Sequence, residues 1–478
     1  MVSTATIVVA GYLCVLLFLG WRGHRQARSD SMSDFYLAGS NLGFVVLLAT
    51  LYASQYSGNT FLGYTGQAYR IGFTWVMSVG MMMSVVLVYL LFAPALHVLA
   101  HRHSFVTPAD YVRHRFADRR LAALVTAIMA IALLNYLYAQ FLAMGHMAVG
   151  ISDGRMPFWA GVLGLAVVIG IYETLGGLRS VAWTDAVQGV LLLFGLILVL
   201  VLVWARVGSL AAVTDRLMSD GPELLSVPSW QQCGRWASSI VLLGVGAAVY
   251  PHALQRIYAA RDATALQRSL RVMVCMPLLT TSVAVLIGVL AHGLIEHRQG
   301  VDADRIMADI LAMIAGHGRV GELVSAVVLT AALAAIMSTA DSALLSLSSM
   351  VARDLLGEIR PDYSEARLAR AGKAASWLII AAMVVLAVRP PTTLWHLIEI
   401  KMELLIQVAP VFILGIRYPE LDRRTVLTAV VAGTVLALLA LAVGLQRIGG
   451  IHAGTYACAV NFAICGWGIR RNRLRAAG

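Results

Sequence analysis

The chain has 478 residues, of which 59% are hydrophobic and only 13% charged. That balance lies far outside the soluble globular range and implies a multispanning membrane protein. The net charge of +11 is spread over many short loops instead of one stripe with aromatics, which argues against a nucleic-acid partner and assigns the basic residues to topology and lipid headgroups.

Hydropathy divides the sequence into thirteen predicted spans of roughly the 20 residues needed to cross about 30 Å of hydrocarbon as helix. In chain order they are 4–21, 42–66, 73–98, 121–150, 156–176, 181–205, 236–257, 272–294, 320–352, 374–388, 394–416, 425–445 and 452–469. The first has no basic residue before it and "WRGHRQAR" after it, which reads as an uncleaved anchor with its N-terminus outside. An odd number of spans then puts the C-terminus inside. Positive charge agrees, since most of the 36 Lys and Arg fall in the loops this topology makes cytoplasmic, among them Arg113, Arg115, Arg119, Arg120, Arg367, Arg370, Lys373 and the tail "RRNRLR". The connections between spans are too short for an independent soluble core, so 1–478 is read as a single membrane domain. Cys14, Cys233, Cys275, Cys458 and Cys465 show no CxxC or His-paired spacing, so neither a disulfide framework nor a zinc site is indicated.

The span 42–66 interrupts itself with "ASQYSGNTFLG". Backbone that leaves helix inside a membrane exposes N–H and C=O groups at a cost of several kcal/mol each, tolerated only where protein, water or a bound ion satisfies them. Gly58 and Gly63 ease the non-helical torsions, while Ser54, Gln55, Ser57, Asn59 and Thr60 supply donors and acceptors at mid-depth. Small residues also serve helix packing, but packing leaves Gln55 and Asn59 unexplained. A second interruption, "GVGAAVYPHAL" in span 236–257, places Pro251 where it removes a helix hydrogen bond and frees the Ala247 carbonyl. Alone it reads as a kink. Two broken spans of opposite direction, five spans apart, are what an inverted repeat with a midplane site predicts.

"AAIMSTADSALL" in span 320–352 carries Ser338 and Thr339, with Asp341 and Ser342 on about the same face as Ser338. Hydroxyls, a carboxylate and the carbonyls of Ala53 and Tyr56 are hard oxygen donors that suit an alkali cation. Membrane serines and threonines also bond back to their own turn, which is the plain alternative for Ser338 or Thr339. An aspartate inside a span is functional by default. A carboxylate substrate would suit the half-helix starting near Ser57, with Ser57, Asn59 and Thr60 as donors and Tyr250, His252, Tyr136, Tyr138 and Gln140 as neighbours. "IEIKMELL" draws Glu399, Lys401 and Glu403 into a span; they read either as a charged gate or anion counter-charge, or as snorkelling side chains. No nucleophile–base or metal-ligand spacing appears, and His146 and His252 are isolated, so the chain does not read as an enzyme.

"SDFYLAGSNLG", "ASQYSGNTFLGYTGQAYRIG", "YETLGGLRSVAWTDAVQGVLLLFG" and "AAIMSTADSALL", in this order, resemble the bacterial sodium/solute symporter family. That group contains proline, sialic acid, pantothenate and monocarboxylate permeases and is related to the sodium-glucose cotransporters. The resemblance implies an all-α integral membrane protein of about 13 transmembrane helices in a bacterial inner membrane. It further implies a leucine-transporter-like 5+5 inverted repeat, with the first helix of each repeat broken. The organisation would be an extra N-terminal helix 1–21, a first repeat 42–205, a second repeat 236–416 and two C-terminal helices 425–469. Sodium is implied as the coupling ion, with no organic cofactor. Carried over residue by residue, the main sodium site falls on the carbonyls of Ala53, Tyr56 and Ala335 and the hydroxyls of Ser338 and Thr339. A second cation site falls on Asp185, Ser338, Asp341 and Ser342, where Asp341 replaces a serine of the members in which that site is best defined. A salt bridge or a proton-binding pair of Asp341 with Asp185 is the alternative. "VYPHAL" and "RPPTTLWHLI" resemble the monocarboxylate and pantothenate branches, and the substrate residues on this reading are Gln55, Ser57, Asn59, Thr60, Tyr250, His252, Tyr136 and Gln140. The expected function is sodium-coupled symport of a small organic solute, a carboxylate, by alternating access. The alternatives are proton coupling, or a membrane nutrient sensor acting with a separate partner.

Overall fold

A computed structural model describes all residues except 1–2, 28, 153, 296–305, 317, 388–400 and 478. Helix α1 (Thr4–Arg25) begins at Ser3, whose side chain accepts the Thr6 N–H, and ends on Arg22, His24 and Arg25, the charge sign a helix C-terminus favours. The first broken span is α2 (Phe44–Gln55), α3 (Gly58–Phe61) and α4 (Gly63–Ile71). After it come α5 (Met77–His103), the short α6 (Pro108–Phe116), α7 (Arg119–Ile151) and α8 (Phe158–Val207). The second broken span is α9 (Trp230–Ala247) and α10 (Pro251–Ala259), bent by 53°. The remaining long elements are α11 (Ala263–Leu290), α12 (Gly318–Met350), α13 (Glu365–Ala387), α14 (Ala409–Arg417), α15 (Arg423–Ala442) and α16 (Ala453–Ala477).

Among the described residues eight helices are long and apolar enough to cross a membrane, or nine if the bent pair is one crossing. They do not separate into the thirteen expected spans, and the reasons are physical. Helix α8 runs for 50 residues and takes in both 156–176 and 181–205. Straight, it would measure about 75 Å, more than twice the hydrocarbon thickness. It is divided at Gly177, whose φ of 56° turns the chain. The span 42–66 is broken into pieces too short to count alone, and part of 394–416 lies outside the described residues. Segments expected as plain loops hold short helices, including Met32–Leu37, Leu210–Asp220 and Ile306–Ala315. A tight hairpin of Arg447–Ile448 with Ile451–His452, turning through Gly449 and Gly450 at positive φ, precedes α16.

Helix α12 lies at the centre. Every residue from Ala331 to Met350 is buried, the mark of a helix enclosed by others on all sides, and its buried serines, threonine and aspartate are the polar exceptions. It packs on α1, α7 and α8. Close approach is permitted by small residues: a Cβ on Gly20 would meet Tyr172, and one on Gly58 would meet Ile336 of α12. The two broken spans run in opposite directions, because Leu42 at the start of the first exchanges backbone hydrogen bonds with the end of the second. Its N–H donates to Ala259 at 3.0 Å, and its carbonyl accepts from Arg261 at 2.9 Å.

Candidate functional site

The first break is sharp. Helix α2 ends at Gln55, Tyr56 is extended with φ −106° and ψ 112°, and Ser57 caps the restart at Gly58 by accepting the Asn59 N–H at 3.2 Å. The Ala53 carbonyl accepts from the Ser338 hydroxyl at 3.2 Å across to α12. Ser338 and Thr339 each reach the Ala335 carbonyl at 3.1 Å, the back-bonding expected of hydroxyls on a helix. Ala53, Ala335, Ser338 and Thr339 are therefore brought together as buried oxygen donors, with Tyr56 at the break beside them. Such a donor set, with no sulfur or imidazole, fits an alkali cation.

Asp185, Asp341 and Ser342 also converge, with three partners that sequence reasoning missed. The Thr50 hydroxyl donates to Asp185, and the Tyr172 hydroxyl donates to Asp341 at 2.6 Å. The third is Arg256 on α10, 1% exposed. Its guanidinium donates to Asp185 at 3.1 Å, Ser342 at 2.5 Å, Thr50 at 2.9 Å and the His252 carbonyl at 2.9 Å. Asp185 thus already holds a cation supplied by the chain. Asp341 accepts from Tyr172 and, at 3.2 Å, from Ser342. The signal for Arg256 was present in the sequence, as an ionisable residue inside a predicted span.

Between the two breaks lies a cavity of about 80 Å³. Of the expected substrate residues, Gln55, Ser57, Asn59, Thr60, Tyr136, Tyr250 and His252 line it, while Gln140 is buried elsewhere. Tyr138 points away, donating to the Leu386 carbonyl at 3.5 Å. Residues not expected there are Tyr64, Tyr89 and Arg256, and the lining also holds Lys401, one of whose readings is an anion counter-charge, with an apolar wall that includes Met82, Val85, Val86, Leu243 and Met273. Tyr136 and Tyr250 stack with ring centroids 5.4 Å apart. Among the described residues the Tyr250 hydroxyl and His252 Nδ1 are buried without a hydrogen-bond partner, polar groups of two residues that line the cavity. The freed carbonyl expected at Ala247 is in fact occupied. It accepts from the Tyr250 N–H at 3.2 Å and the Tyr89 hydroxyl at 3.4 Å, because Pro251 opens a new helix instead of interrupting one.

Lys401 is buried, with Nζ 3.1 Å from the Tyr136 ring centroid and 5.5 Å from that of Tyr250. It does not snorkel. Glu403 points elsewhere, holding His452 Nδ1 at 3.0 Å and the Gly454 N–H. Glu399 and "RPPTTLWHLI" lie outside the described residues. A second cavity of about 310 Å³ shares Leu243 and Met402 with the first and is lined by Arg70, Arg235 and Arg447.

Comparison with known proteins agrees with this architecture. The model of the "Sodium:solute symporter family" matches residues 35–433. The sodium/pantothenate symporter of Escherichia coli K12 is 24% identical over 92% of this chain and 91% of its own. The osmoregulated proline transporter OpuE of Bacillus subtilis is 24% identical over 92% of this chain and 89% of its own. Among solved structures, a substrate-bound, outward-open Na+-coupled sialic acid symporter superposes with a TM-score of 0.81 at 16% identity, covering 98% of this chain and 97% of that one. A nucleobase–cation symport-1 family transporter in a closed conformation gives a TM-score of 0.59 at 14% identity, covering 91% and 95%. A family model spanning most of the sequence, joined to this all-helical transporter fold, makes the chain a multi-pass membrane transporter, not an enzyme, that belongs to the sodium:solute symporter family.

Proposed function

We propose that the protein is a sodium-coupled symporter of a small organic carboxylate, monocarboxylate- or pantothenate-like, working by alternating access. The observation that carries this reading is the Ala53 carbonyl facing Ser338 at 3.2 Å, on the same break whose Ser57, Asn59 and Thr60 line the cavity. An ion held at Ala53, Tyr56, Ala335, Ser338 and Thr339 would order the break, and the ordered break would present its polar residues to the solute. That is a differential stabilisation of one state by both ligands, which symport requires. The family match and the pantothenate symporter among the relatives support the substrate class.

The same reading takes the fold as about thirteen spans with a 5+5 inverted repeat, 42–205 and 236–416. The helix 1–21 precedes the repeats and 425–469 follow them. The opposed directions of the two broken spans support it. The N-terminus is placed outside and the C-terminus in the cytoplasm of a bacterial inner membrane, from the distribution of Lys and Arg. Uptake by reconstituted vesicles under an imposed sodium gradient tests the function, and absence of sodium stimulation for every small acid would reject it. A second reading, proton coupling through Asp341, is favoured by one observation. Arg256 already serves Asp185 as its cation, while Asp341 is met by hydroxyls.

A further inference from the structure

We infer that Lys401 is the specificity-determining residue of the cavity, the counter-charge for a single carboxylate on a solute that carries no ammonium group; this rests on the carboxylate reading above. The charged residues lining the cavity are Arg256 and Lys401, and no aspartate or glutamate lines it among the described residues. Arg256 is already neutralised by Asp185 at 3.1 Å. Lys401 is 2% exposed, and among the described residues no carboxylate reaches it. The acid two residues on in sequence, Glu403, is committed to His452 and Gly454.

A buried lysine with no anion beside it is costly to keep charged, and a ligand carboxylate would complete the pair. The stacked Tyr136 and Tyr250 offer it only their ring faces, a weak substitute for a carboxylate. Among the described residues the cavity therefore offers Lys401 no negative charge, which a monocarboxylate brings. An amino-acid zwitterion brings in addition an ammonium, for which the lining has no carboxylate among the described residues. This separates the chain's substrate from that of its proline-transporting relatives and sets it with acids whose remaining body is hydroxylated or apolar, matching a lining that holds both Ser57, Asn59 and Thr60 and Met82, Val85 and Val86.

The test compares wild type, Lys401→Met and Lys401→Arg in proteoliposomes, using labelled pyruvate, pantothenate and proline, alongside binding of radiolabelled sodium to the purified proteins. The expected result is wild-type uptake of an acid and not of proline, a KM for that acid raised at least about 30-fold in Lys401→Met, partial retention in Lys401→Arg, and sodium binding unchanged in all three. The neutral counterparts pyruvamide and panthenol should compete poorly in wild type and as well as the acids in Lys401→Met. An unchanged KM in Lys401→Met, or wild-type preference for proline, overturns the inference. Acid uptake driven by protons alone, with the same loss in Lys401→Met, would instead reject sodium coupling and keep the role of Lys401.

Discussion

Replacing Arg256 by methionine removes the guanidinium from a cluster where Asp185 is fully buried and 3.1 Å away. At that distance, and at the effective dielectric of about 20 that suits protein sites, the attraction is about 5 kcal/mol. Desolvation of both groups cancels much of it in the intact pair. The single substitution is different, because it strands the Asp185 carboxylate with, among the described residues, only the Thr50 hydroxyl as donor. Breaking a buried pair in this way costs about 3–5 kcal/mol. Arg256→Met should therefore melt several degrees below wild type in detergent at fixed sodium. The double variant Arg256→Met with Asp185→Leu, which removes the stranded charge, should recover most of that loss. Because membrane proteins unfold irreversibly in such scans, the ranking of the three melting temperatures at one scan rate is the quantity to compare. If Arg256→Met melts with wild type, or the double variant melts below the single, the cluster is not an ion pair holding α10 to α8.

Three further outcomes follow from the same geometry. Ser338→Ala with Thr339→Ala removes both hydroxyls facing the Ala335 carbonyl and should abolish sodium-stimulated uptake while leaving the melting temperature within a few degrees; sodium dependence that survives would reject the donor assignment. Gly58→Leu places a side chain against Ile336 at the close approach of the break to α12, and should cost transport more than expression, read by uptake per folded protein. Asp422 caps α15, accepting the Arg424 and Thr425 N–H groups, both at 3.0 Å, and bonds from the Thr425 hydroxyl and Asn472. Partial burial would raise its pKa, but these bonds prevail and hold it at about 2. Its folded value thus lies below its unfolded one, so its contribution is complete above about pH 4 and is lost as pH falls toward 2. Asp422→Ala should cost about 1 kcal/mol at neutral pH, and the difference in melting temperature from wild type should shrink only below about pH 4.

The two breaks were legible in the sequence because glycine, proline and polar residues rarely cluster in a hydrocarbon-length segment unless its backbone leaves helix there. The convergence of Ala53 with Ser338 could be anticipated from oxygen chemistry and the family resemblance. The division of the 50-residue helix was legible too, since the predicted spans 156–176 and 181–205 meet at the turn of Gly177, whereas part of the span 394–416 lies outside the described residues. Arg256 was overlooked because basic residues near span ends ordinarily serve topology, and only the folded chain puts it on Asp185. Gln140, a polar residue in a predicted span, is buried and does not line the cavity. Lys401 was visible as an anomaly, but its direction depended on Glu403 turning toward His452, a contact 49 residues distant in sequence.

The central claim is that a sodium ion and a carboxylate are moved together. Uptake of labelled pyruvate, acetate, pantothenate and proline into proteoliposomes, under an imposed sodium gradient and under a proton gradient of equal driving force, tests it directly. Accumulation of one acid under the sodium gradient alone is the predicted result. Accumulation under the proton gradient alone, or of proline and none of the acids, would contradict it.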